Sequence, residues 1–124
     1  MSESRYFQVQ QCDSVFVVHV QHFVPDRATV NEFGQTLLAY VDQQRPARLA
    51  VSLAAVSELS SPTLGKLMLL EKRIAGYGGK MLVCEAHGAV QQLIALSWPR
   101  HAPPGGETLS ERDAIEQLKN IQPS

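Results

Sequence analysis

The spacing of apolar and polar positions changes several times along the chain, and each change marks an element. Residues 5–10, RYFQVQ, and 14–23, SVFVVHVQHF, are rich in aromatic and β-branched side chains, and the CD pair between them suits a turn. They read as an opening hairpin. In PDRATVNEFGQTLLAYVDQQRP the period becomes helical, with Val30, Phe33, Leu37 and Tyr40 or Val41 on one face. Asp26 or Thr29 is available as N-cap, and Pro46 lies just past the end. Residues 48–54, RLAVSLA, then form a short apolar run of the kind that fills a buried strand.

The stretch VSELSSPTLGKL turns the chain into a second helix. Ser61 suits its N-cap, Pro62 its first helical position, and Leu64, Leu67, Met68 and Ile74 line one stripe before AGYGGK ends it. Residues 80–84, KMLVC, are a further buried-strand candidate, and Val90, Leu93 and Ile94 mark a third helix. SWPRHAPPGGE reads as a loop, and Ser110 with Asp113 caps a last helix carrying Ala114, Ile115, Leu118 and Ile121. No internal repeat or low-complexity segment interrupts this order.

Helices alternating with apolar strands after a hairpin predict an α/β fold, one domain over residues 1–124 with its core at about 5–121. The sheet should be mixed, with about four or five strands: a parallel core plus the N-terminal antiparallel hairpin, packed with about four helices. Val51 and Val83 should lie inside it, because their strands are apolar with little alternation.

Composition narrows the function. A chain of 124 residues with 44% hydrophobic content can bury one core without metal or disulfide staples. Eleven Lys and Arg against 12 Asp and Glu, with no basic run, leave neither a nucleic-acid footprint nor a polybasic membrane patch. The N-terminus has no basic region followed by an apolar run, and no stretch approaches the roughly 20 apolar residues of a membrane span. Cys12 and Cys84 belong to no CxxC pair, so reduced thiols and a cytoplasmic location are expected.

Few residues carry chemistry. Ser61 has two available roles: a helix cap, worth about 0.5–2 kcal/mol relative to alanine, or a phosphate acceptor. A phosphate on a capping side chain would meet free backbone N–H groups and the positive end of the helix dipole. Cys84 and His87, in VCEAH near a strand end, offer either the nucleophile and base of a small thiol or nucleotide-using enzyme or a pair of metal ligands. His19, His22 and His101 are scattered, so no metal site and no cofactor is expected. No Gly-rich phosphate loop or nucleophile elbow is present. Glu58, Glu71 and Glu85 are expected to be solvated, with Glu58 beside the serine turn placed to shape what binds there.

The order of elements and several residues resemble the STAS domain family, the fold of anti-sigma-factor antagonists. Members carry a strand of the type L-D-L, a turn D-S-S-G-L-G, a helix, then G-G-x-L-x-L and P-A-V-x-x-L-L-x-x-x-G-L. Here the matching segments are AVSLAAVSELSSPTLGKL and YGGKMLVCEAHGAVQQLIALSW, over roughly residues 50–98. Ser61, Leu64, Gly65, Gly79, Ala89, Val90 and Leu93 fall on matching positions. The resemblance implies a non-enzymatic regulatory protein-binding module. Its switch would be phosphorylation at Ser61 by a partner serine kinase that is also an anti-sigma factor, with Ser60 and Thr63 as alternates. The partner surface would be Glu58, Ser60, Ser61, Pro62 and Thr63. The turn departs from the family pattern, with Ser60 for its aspartate, Pro62 for its second serine and Thr63 for its glycine. The alternative is a STAS scaffold or assembly subunit of a signalling complex that is not phosphorylated.

Overall fold

The computed structural model describes residues 5–102 and 108–120. Its elements run β1 (Phe7–Cys12), β2 (Val15–Val20), α1 (Arg27–Gln44), β3 (Arg48–Ser52), α2 (Ser61–Gly76), β4 (Lys80–Cys84), α3 (Gly88–Ser97) and α4 (Glu111–Lys119). The strands form one mixed sheet in the order β1-β2-β3-β4. β1 is antiparallel to β2, while β2 with β3 and β3 with β4 are parallel. The hairpin turns at Asp13, a non-glycine residue at φ 57°, where Asp is among the side chains that tolerate the left-handed region.

Two cores follow from the pleat. Val18, Val20, Leu49, Val51, Met81 and Val83 point to one face and pack with Phe33, Leu37, Leu67, Ile74 and Val90 of α1, α2 and α3. Val15, Val17, Ala50 and Cys84 point to the other and meet Ala114 and Leu118 of α4. Burial on both faces is why β2 and β3 are almost continuously apolar and why Val51 and Val83 are inaccessible. Ile121 and residues 103–107 of the proline-rich stretch lie outside the described residues.

The helix boundaries have local causes. Asp26 caps α1, its Oδ1 accepting from the Thr29 N–H at 2.8 Å, and that hydrogen bond holds the carboxyl below its usual range. α1 stops at Arg45, which turns left-handed at φ 46° just before Pro46. Ser110 caps α4 by accepting from the Asp113 N–H at 3.1 Å. α2 runs out into Gly78, at φ 87°. A Cβ on the next residue, Gly79, would lie 2.8 Å from Ile74 Cγ2 and 3.2 Å from the Ala47 carbonyl.

Two of the three carboxylates expected in solvent are structural. Glu71 takes hydrogen bonds from Trp98 Nε1 at 3.2 Å and Arg100 at 3.4 Å, and its Oε2 meets His101 Nε2 at 2.7 Å. Burial pushes its carboxyl up, but the contacts with His101, Arg100 and Trp98 outweigh this and hold it below its ordinary range. His101 is buried in a 3-10 turn, Pro99–His101, rather than exposed on a loop. Its Nδ1 accepts the Val83 N–H of the outer strand, so Nε2 carries the proton given to Glu71. Glu85, at φ 61°, accepts the Glu111 N–H through Oε2. Of the three, Glu58 alone is exposed.

Candidate functional site

The segment between β3 and α2 is anchored by apolar residues and leaves polar ones outside. Leu53 and Val56 are buried, Leu59 packs against the main core, and Ser57 and Glu58 stand in solvent. The Leu53 N–H donates to the Cys84 carbonyl at 3.0 Å and the Val56 N–H to the Leu53 carbonyl at 3.0 Å, fixing where α2 begins.

That beginning lies one residue earlier than the sequence predicts. Ser60 is the N-cap, extended at φ −79° and ψ 156°, and its Oγ accepts from the Thr63 N–H at 3.2 Å. The Ser60 carbonyl takes the Leu64 N–H at 2.9 Å. Ser61 is therefore the first helical residue and Pro62 the second. Adjacent serines satisfy the same capping preference, and proline fits either of the first two positions because neither needs an N–H partner inside the helix.

The shift changes the electrostatics of the turn. Pro62 has no N–H and Ser60 already occupies that of Thr63, so a group on Ser61 finds the helix dipole but not a set of free backbone donors. The three hydroxyls are also unequal. Thr63 is buried, and its Oγ1 lies 2.8 Å from Ser60 Oγ. Ser61 is exposed, and its hydroxyl engages no partner among the described residues. Glu58, Ser61 and Pro62 thus form the accessible part of the predicted surface, while Ser60 and Thr63 hold its shape.

The thiol reading loses its geometry. Cys84 is fully buried with Sγ 3.6 Å from the Val51 carbonyl, and burial, followed by the charges of Glu111 and Glu85, pushes its thiol up to about 12. His87 contacts the Ala54 carbonyl at 3.1 Å rather than the sulfur. No group of three or more metal-ligating side chains occurs among the described residues, and no described helix is long and apolar enough to cross a membrane.

One feature beside the turn goes beyond what the sequence predicts. Pro62 also lines a groove between α1 and α2. Its spacing with Gly65, Lys66 and Leu69 (i, i+3, i+4, i+7) is a signal in the sequence, masked by the stronger apolar stripe that faces the core.

No protein-family model and no curated protein matches the sequence. Solved structures do. A Thermotoga maritima protein provisionally described as an anti-sigma factor antagonist superposes with a TM-score of 0.77 at 14% identity, over 94% of this chain and 97% of that one. An anti-sigma factor antagonist from Mycobacterium paratuberculosis gives 0.75 at 24% identity, over 92% and 93%. The anti-sigma factor antagonist SpoIIAA in its unphosphorylated form gives 0.71 at 14% identity, over 94% and 98%. The phosphorylated form of this Bacillus cell fate determinant gives 0.65 at 12%, over 90% and 98%. The chain has the fold of the STAS-domain anti-sigma factor antagonists.

Proposed function

We propose that the chain is a non-enzymatic regulatory module that binds a protein partner through the β3–α2 turn and is switched by phosphorylation of Ser61. The partner is an anti-sigma factor that is also a serine kinase. The observation that carries this reading is the placement of Ser61: an exposed, unengaged hydroxyl at the first residue of α2, flanked by Glu58 and Pro62, where the neighbouring hydroxyls of Ser60 and Thr63 engage each other. SpoIIAA, which shares the fold, is described in both phosphorylated and unphosphorylated forms. A phosphate there would add about −1.5 to −2 charges to the contact surface. Because the cap is made by Ser60, the charge would change what a partner meets without dismantling the helix start.

The test is Ser61→Asp and Ser61→Ala against the partner recovered by pull-down, with thermal melts to show that both variants fold. A carboxylate must be desolvated on contact where a neutral hydroxyl is expected, so Asp binds weakly and Ala nearly as the parent. Equal affinity across all three proteins refutes the switch.

A second reading rests on the departures in the turn. Ser60 stands where the family has its aspartate and serves the cap, so an acidic group at that place is missing. On this reading the chain is an unphosphorylated scaffold or assembly subunit. Mass spectrometry of protein from its own cells separates the two, since the scaffold carries no phosphate on Ser60, Ser61 or Thr63.

A further inference from the structure

The groove between α1 and α2 has a volume of about 600 Å³, and its walls come from two helical stripes. Pro62, Gly65, Lys66 and Leu69 line it from α2, and Arg27 and Val30 from α1. The chain carries a net charge of −1, yet no carboxylate lines the groove. Neither Arg27 nor Lys66 forms an ion pair among the described residues. The stem of Lys66 lies across α1 at Gly34, where a Cβ would come within 2.6 Å of Lys66 Cδ. That close approach lays the aliphatic stem of Lys66 against α1 beside the groove that the residue lines.

Two further observations concern the floor. Leu69 is 43% exposed, one of only a few large apolar side chains so open among the described residues. Gly65 sits inside a helix, where glycine is weaker than alanine, and a Cβ added there would meet nothing within 4 Å. Packing in the free protein gives no reason for this glycine, and the space above it is open.

We propose that this groove seats an acidic, apolar segment of the protein partner. A large aliphatic or aromatic side chain fills the space over Gly65 between Val30 and Leu69, and flanking carboxylates pair with Arg27 and Lys66. Apolar area supplies the anchor, and the two cations select for acid and set the register. The inference rests on the reading of the chain as a protein-binding module and extends its contact surface from the Ser61 turn, through Pro62, onto α1.

The test uses displayed random dodecapeptides selected on the full chain. Enriched peptides should combine Asp or Glu with Leu, Ile or Phe. They should lose roughly tenfold or more in affinity for Gly65→Leu, and as much for the double variant Arg27→Glu/Lys66→Glu. Thermal melts establish that these variants fold. Failure to enrich any peptide, enrichment without acidic residues, or undiminished binding to both variants overturns the proposal. So does preferential binding of phosphatidylglycerol vesicles or duplex DNA at the same residues. The natural partner separates this claim from the Ser61 switch. A partner lost by Ser61→Asp but kept by Gly65→Leu and Lys66→Glu overturns the groove alone, and the reverse pattern supports the groove while removing the switch.

Discussion

Glu71 Oε2 and His101 Nε2 meet at 2.7 Å across 30 residues of sequence, and through that contact α2 holds the ring that closes the outer edge of β4. Removing the charge should cost up to about 1.5–3 kcal/mol, the scale for a hydrogen bond to a charged group, less what the solvent around this part-buried carboxylate screens. The Glu71 carboxyl is depressed below its ordinary value of 4.5 in the folded protein. Its contribution is therefore complete above that value and is lost as the pH falls through the lower folded value. Urea unfolding from about pH 7 to about pH 3 should show a steeper acid loss for the parent than for Glu71→Gln. Parallel curves would mean that the contact does not contribute.

Ser60 and Ser61 are neighbours with different roles. Ser60→Ala removes the oxygen that holds the Thr63 N–H and should destabilise by about 0.5–2 kcal/mol. Ser61→Ala removes an exposed, unpaired hydroxyl and should fall within about 0.5 kcal/mol of the parent. Chemical denaturation of the two variants checks the order, and a larger loss for Ser61→Ala would reinstate it as the cap.

The two cysteines should behave differently toward alkylating reagents. Cys84 is fully buried, with its thiol pushed up to about 12, whereas Cys12 is half-exposed. At neutral pH the native protein should take up one label, at Cys12, and a second only in denaturant. Rapid native labelling of Cys84 would reopen a role for its thiolate.

Gly65 and Gly79 should respond to alanine with opposite signs. At Gly79 the new methyl meets Ile74 and the Ala47 carbonyl, and overpacking of this kind costs about 1–3 kcal/mol. At Gly65 it meets nothing, and the stiffer unfolded chain should raise stability by about 0.4–1 kcal/mol. Melting temperatures of the two single variants decide the matter.

Much of this architecture is legible because its signals are local. Asp26 and Ser110 cap where a polar side chain precedes a helical stripe; the α1 stripe is buried as its spacing predicts, and in α4 Ala114 and Leu118 are buried with Ile115 partly so. The apolar runs of β3 and β4 are inner and outer strands of one parallel pair. The start of α2 lies one residue before the predicted one because Ser60 and Ser61 are equivalent to any rule based on residue type. Only the hydrogen bond to the Thr63 N–H distinguishes them. The sequence places Glu71 in solvent because its partners Trp98, Arg100 and His101 lie 27 to 30 residues away, on a segment with the composition of an open loop. No period carries that information; it arises when the 3-10 turn folds back onto the sheet edge.

The α4 face has a consequence for the order in which the chain leaves the ribosome. Val17 and Ala50 are covered by Ala114 and Leu118, so one side of the sheet stays bare until α4, roughly 60 residues after β3, has been made. At about 5–20 residues per second several seconds separate the two events, during which the nascent protein presents an uncovered valine-rich surface. Any holdase that guards this chain during synthesis should therefore recognise β2 and β3 on that side, and release it when α4 arrives.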